Sequence, residues 1–234
     1  MSSMEFIVFS EDKSKPPSMA ACAWLNMRFA DRTVGLYVPD AGSVKAAYEK
    51  KLQQETEVLF PYWAHLWPAS RAICEMLAES PWMVEGKRVL EIAAGLGLPS
   101  IFVAEMAASV CCSDRSAEAM ALAQASIERN DIRNVQTMVI DWKHLPSELP
   151  YDMVLLSDVN YDPDDLDDLR VLFDRLLKAG VSIILSTPER IVAADLLNDL
   201  LPFVRLRRQY EPEPGRNIHV LCLAQSEEGF TSNR

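Results

Sequence analysis

Arg88-Val-Leu-Glu-Ile-Ala-Ala-Gly-Leu-Gly97 decides the fold: an apolar run meets one acid and breaks at once into two glycines separated by a single residue. Glycine opens backbone conformations closed to other residues and lets a ligand approach the main chain without a Cβ in the way. Pro99 suits the first turn of a helix. An open α/β sheet binds a nucleotide at such a strand-turn-helix junction, outside the carboxyl end of its first strand. Two glycines in a loop also serve plain strand-to-helix connections, so this reading depends on what surrounds it. Ser100 stands where the dinucleotide fingerprint wants glycine or alanine, which leaves hydride-transfer chemistry open but not favoured.

Downstream, apolar runs of strand length alternate with helical patterns, which predicts parallel βαβ units. The expected strands are 88–94, 109–113, 134–140, 151–157 and 181–186, followed by 203–210 and 218–224. The last two flank Glu211-Pro-Glu-Pro-Gly-Arg216, long for a tight hairpin and too short for a helical crossover. A doubly wound, mostly parallel seven-stranded α/β sheet with an antiparallel last strand follows. Upstream, residues 1–57 read as an extension packing on the core, with Phe6–Phe9 and Gly35–Val38 as short apolar pieces of a hairpin. Ser43 is expected to cap a helix carrying Val44, Ala47, Tyr48 and Leu52 on one side. Pro68 opens the next helix, with Ala72, Ile73, Met76 and Leu77 facing inward. Residues 58–234 form the expected catalytic domain.

Nearly half of the 234 residues are apolar, enough for a substantial core. The five cysteines show no CxxC pair, so neither a zinc site nor a disulfide framework is expected, and no metal. The first thirty residues lack a secretory pattern and no run is long enough to span a bilayer, so a cytoplasmic protein with no membrane partner is expected. A net charge of −11 argues against broad binding to nucleic-acid backbones and favours a basic partner.

Each remaining signal falls just after one of the expected strands. Asp114 can accept both hydroxyl hydrogens of a ribose, or else cap the helix that follows. Asp141 can accept an adenine amine beside the Trp142 indole, or else the pair is a surface turn. Ser157-Asp-Val-Asn-Tyr161 ends the fourth strand of the sheet, and Asp162-Pro-Asp-Asp165 makes a good helix start. Asp158 and Tyr161 precede that cap and project beside the glycine turn, where reacting groups belong.

Together these residues resemble the class I S-adenosylmethionine-dependent methyltransferases, within them the seven-β-strand lysine methyltransferase-like group, over about residues 58–224. Glu91-Ile-Ala-Ala-Gly-Leu-Gly97 resembles the group's first motif, with Glu91, Ala93, Ala94, Gly95 and Gly97 at the cofactor. Asp114 matches the ribose acid, Asp141-Trp142 the adenine-side pair, and Asp158-Val-Asn-Tyr161 the acid-x-x-aromatic signature. Ser157, preceding that signature, joins the cofactor set. Trp67, in Pro61-Tyr-Trp-Ala-His-Leu-Trp-Pro68, resembles the tryptophan that the group lays over the cofactor. Ala93 departs from the pattern, since the group carries glycine there.

The resemblance implies a Rossmann-like fold, S-adenosylmethionine as cofactor, and in-line attack of a neutral amine on a sulfonium methyl, with no covalent intermediate. For a protein lysine, Asp158 holds the amine and Tyr161 shapes the site. A small-molecule N-methyltransferase uses the same cofactor half, and an NAD-dependent oxidoreductase or a non-catalytic binding module is the alternative of different class. His65, His144 and His219 read as structural, and Cys111 and Cys112 as core residues on opposite sheet faces. The oligomeric state stays open.

Overall fold

The computed structural model describes residues 21–54, 58–146, 149–189, 193–226 and 230. Strands β1 (Cys22–Phe29) and β2 (Arg32–Pro39) form a hairpin, followed by helices α1 (Ala41–Leu52) and α2 (Pro68–Glu79). Next come β3 (Arg88–Ile92), α3 (Leu98–Val103), β4 (Ser109–Asp114), α4 (Ala117–Arg129) and β5 (Val135–Val139). The remainder is β6 (Met153–Ser157), α5 (Leu166–Lys178), β7 (Ser182–Pro188), α6 (Ala194–Leu200), β8 (Val204–Glu213) and β9 (Arg216–Leu223).

Seven strands make one sheet in the order β5-β4-β3-β6-β7-β9-β8. β9 pairs antiparallel with both its neighbours, while the β3, β4, β5, β6 and β7 pairings are parallel. The expected architecture is therefore present, antiparallel last strand included. Alternation along each strand sorts side chains into two cores. Val89, Cys112, Met153 and Leu155 join α2, α3 and α4 on one face, whereas Leu90, Ile92, Cys111, Val154 and Leu156 join α5 and α6 on the other. Cys111 and Cys112 thus face opposite layers, as the strand reading requires. Each of these apolar side chains is almost fully buried, worth about 1.5–3 kcal/mol for the larger ones.

The hairpin packs on α4, where the Tyr37 amide donates to Ser126 Oγ at 2.9 Å and Asn130 Nδ2 donates to the Gly35 carbonyl at 2.7 Å. Trp24 lies so close over Gly35 that a Cβ there would sit 2.0 Å from the ring, and the Arg129 guanidinium stacks 4.1 Å above that indole. The strand pairing with Gly35–Val38 is Cys22–Phe29. The expected Phe6–Phe9 piece lies outside the described residues.

Three local expectations are corrected. The cap of α1 is Asp40, whose Oδ1 accepts from the Ser43 amide at 2.8 Å, so Ser43 sits inside the first turn. Short acceptors at either position satisfy the same orphan amides, and the pattern alone cannot choose between them. That helix buries no residue; Val44, Ala47 and Tyr48 line the cleft described below instead of packing on the core. The Glu211–Arg216 connection is a tight hairpin, with β8 running on to Glu213 and Gly215 turning at φ 76°. Pro212 is tolerated there because β8 is the sheet's edge.

Candidate active site

β3 stops at Ile92, two residues earlier than its apolar run suggests, because Ala93 turns left-handed with φ 52°. Gly95 and Gly97 follow at φ 55° and 74°, so every second residue of the turn bends the same way. The turn is tied to β4. The Ala94 amide donates to the Ser113 carbonyl and the Gly95 amide to Asp114 Oδ2, each at 2.9 Å. Gly97 is needed for packing: a Cβ there would lie 3.0 Å from Cys112 Sγ and 3.3 Å from the Ala123 methyl.

Above this turn opens a cleft of about 1110 Å³ at the carboxyl ends of β3, β4 and β6. The structure brings Trp67, Ala93, Ala94, Gly95, Asp114, Trp142, Ser157, Asp158 and Tyr161 to its wall. Glu91, Gly97 and Asp141 are not among its lining residues.

Glu91 is fully buried, and Ser100 gives it two hydrogen bonds, one from its amide at 2.8 Å and one from its hydroxyl. Its other oxygen has no hydrogen-bond partner among the described residues. Burial pushes its carboxyl up to about 8, against the lowering effect of Ser100 and with a smaller upward push from Asp114. The acid of the motif therefore clamps the end of β3 to α3, and its burial favours the neutral form. Asp141 caps the short turn Trp142–His144 through the Lys143 amide and pairs with His144 Nδ1 at 3.2 Å.

Asp114 is 7% exposed. Ser116, not Asp114, caps α4. Both Asp114 oxygens accept a backbone amide, Oδ2 from Gly95 and Oδ1 from Ser116, each at 2.9 Å. An ionised carboxylate offers about four lone-pair sites, so two stay available for a vicinal diol. That donor demand matches a ribose.

Asp158 follows β6 with φ 55°, a conformation Asp tolerates better than most residues because its short side chain bonds locally. Its amide donates to the Ser186 carbonyl at 2.8 Å, anchoring the loop to β7. Two residues on, Asn160 is fully buried, and its Oδ1 accepts from Thr187 Oγ1 at 2.8 Å. Tyr161 is held above the usual phenol range by burial, with Arg115 opposing, so it keeps its hydroxyl proton.

Trp67 Nε1 donates to the Tyr62 carbonyl at 2.9 Å, and the His65 ring stands edge-on to the indole with centroids 4.6 Å apart. Trp63 also lines the cleft, and its carbonyl would meet a Cβ on Gly95 at 3.1 Å. Sequence reasoning missed Arg115, Lys51 and the rings of Tyr48, Phe60 and Tyr62, all of which line the cleft. The one visible signal of the rings was aromatic density between residues 48 and 67.

Sheet order, glycine turn and an acid after the second parallel strand define the class I methyltransferase fold. Among solved structures, the chain is similar to a Thermus thermophilus 16S rRNA guanine methyltransferase crystallised with AdoMet and guanosine. The TM-score is 0.60 at 17% identity, covering 92% of this chain and 53% of that one. A family profile described as lysine methyltransferase matches residues 32–197, and the chain belongs to that family.

Among curated relatives, human histone-arginine methyltransferase METTL23 is 28% identical over 137 residues, 56% of this chain and 72% of that protein. Bovine protein-lysine methyltransferase METTL21E is 29% identical over 159 residues, 63% of this chain and 53% of that one. The METTL23 relatives are matched over 53% to 72% of their lengths.

Proposed function

We propose that this chain is an S-adenosylmethionine-dependent N-methyltransferase whose acceptor is the side-chain amine of a protein lysine. The observation that carries the reading is that Asp158 and Tyr161 share one cleft with Asp114 and the Ala93–Gly95 turn. S-adenosylmethionine supplies a sulfonium methyl that is already electrophilic, so the protein has to align and not to activate it. In this reading Asp114 holds the ribose hydroxyls, Trp142 borders the adenine, and Ala93, Ala94, Gly95 and Ser157 line the path of the methionine portion. Trp67 closes the cleft over it. Glu91 and Gly97 act by shaping the turn, and Asp141 by fixing Trp142.

Asp158 orients the incoming amine, and Tyr161, protonated, donates a hydrogen bond or forms the wall of the acceptor end. A lysine amine must lose its proton before it can attack, and a carboxylate beside it is the group able to hold and pass on that proton. The chain's excess of 34 acidic over 23 basic residues suits a basic partner and not a nucleic-acid backbone. Four of its five cysteines, Cys74, Cys111, Cys112 and Cys222, are buried in the core. Among the described residues no helix is long and apolar enough to cross a membrane.

Two measurements test the reading. Calorimetry on the purified chain should detect S-adenosylmethionine and S-adenosylhomocysteine and no NAD. Methyl-labelled cofactor, incubated with the chain and a lysate, should mark a protein at a lysine identified by mass spectrometry. Label on arginine, which the METTL23 similarity raises as the second reading, would move the acceptor to that class.

A further inference from the structure

At the acceptor end of the cleft four aromatic rings stand in a row contributed by three separate segments. Tyr48 of α1 meets Phe60 with centroids 5.2 Å apart, Phe60 meets Tyr62 at 4.8 Å, and Tyr62 meets Tyr161 at 5.2 Å. All four line the cleft. Phe60 is 54% and Tyr62 42% exposed, so the row leaves ring surface facing solvent. Tyr62 is the hub, because its carbonyl also holds the Trp67 indole. Aromatic faces carry a negative quadrupole and attract ammonium groups placed over them. Asp158 lines the same cleft. Rings in this number, in a cleft that the Asp158 carboxylate also lines, suit a compact alkylammonium whose charge is spread over methyl groups.

The geometry points to a specificity role for Tyr62: with Phe60 and Tyr161 it forms an ammonium-binding channel that takes an alkylammonium side chain and retains its N-methylated forms. The inference takes lysine from the function proposed above, while the channel's preference for a methylated cation is measured directly.

The full chain, saturated with S-adenosylhomocysteine, is titrated by calorimetry with Nα-acetyl-Nε-trimethyllysine amide and with the uncharged Nα-acetyl-norleucine amide. The cation should bind about fivefold or more tightly than the neutral ligand, within the usual range for a desolvated cation on aromatic faces. Tyr62→Phe should keep that preference and Tyr62→Leu should abolish it, with S-adenosylhomocysteine affinity unchanged within about twofold in both. Equal binding of the two ligands, no binding of either, or a preference that survives Tyr62→Leu would overturn the channel. A parallel loss of S-adenosylhomocysteine affinity would assign Tyr62 to the cofactor side through Trp67 and overturn it as well. A cation preference that behaves as expected, with no lysine labelled in the lysate, upholds the channel and rejects the lysine reading alone.

Discussion

Ala93 and Asp158 directly follow two adjacent parallel strands, β3 and β6, and both turn left-handed, with φ 52° and 55°. Both line the cleft. The backbone thus turns left-handed beside the cleft at two neighbouring strand ends, each time on a residue with a Cβ, where glycine would carry no steric cost.

At Ala93 the return on that cost is apolar packing alone, the partly buried methyl group resting against the core layer of α5 and α6. Ala93→Gly should therefore raise stability by up to about 1 kcal/mol, the left-handed penalty offset in part by a freer unfolded chain. Urea unfolding of both proteins measures it. A stability loss would mean the methyl packs better than its backbone strain costs.

At Asp158 the side chain and the backbone can be separated. Asn tolerates the same conformation and has nearly the same shape, so Asp158→Asn should fold with stability within about 0.5 kcal/mol of the parent while transfer falls by about 10²-fold or more. Single-turnover methylation of the identified substrate gives the second figure. Unchanged transfer would remove the carboxylate from the mechanism.

Asp114 ties the glycine turn to the start of α4, accepting hydrogen bonds from the Gly95 and Ser116 amides at 2.9 Å each. Replacing it by Asn puts a donor where an acceptor is needed. S-adenosylhomocysteine should then bind about 10- to 100-fold more weakly, the range expected for lost hydrogen bonds to a charged acceptor. Calorimetry reads the change directly, and an affinity within twofold of the parent would reject the ribose role.

Glu91 predicts a pH dependence of stability. Its carboxyl rises from 4.5 to about 8 on folding, mainly by burial. Between those two values the unfolded chain has released the proton and the folded chain still holds it. Stability contributed by this group is therefore full below roughly pH 4.5, falls as pH rises, and levels off above about 8. Glu91→Gln cannot ionise, so the gap between parent and variant stability should shift in favour of the variant by a few kcal/mol from pH 5 to pH 8. A gap that does not change with pH would show that Glu91 is ionised in the folded protein.

The strands of the sheet were legible because a buried parallel strand must be a short apolar run, and such runs recur from Val89 to Leu223 between helical patterns. Asp114 and Asp158 were legible for a related reason: an acid just past such a run has to stand at the carboxyl edge of the sheet. Glu91 and Asp141, set at the cofactor by the resemblance, do not line the cleft. Glu91 lies fully buried within β3, bonded to Ser100, while Asp141 accepts the Lys143 amide and pairs with His144. Neighbours in space, which a linear pattern does not encode, made the difference.

Alone, the chain's order of apolar runs, glycines and strand-end acids determined the doubly wound sheet, the glycine turn and the side on which the cleft opens. These follow from local periodicity and from the one place where such a sheet can open. Tertiary structure decided that Ala93 is left-handed, that Glu91 is sealed from the cleft, and that Tyr48, Phe60 and Tyr62 meet Tyr161. Each depends on contacts between segments distant in the chain, where burial and ring packing set the geometry and sequence spacing does not.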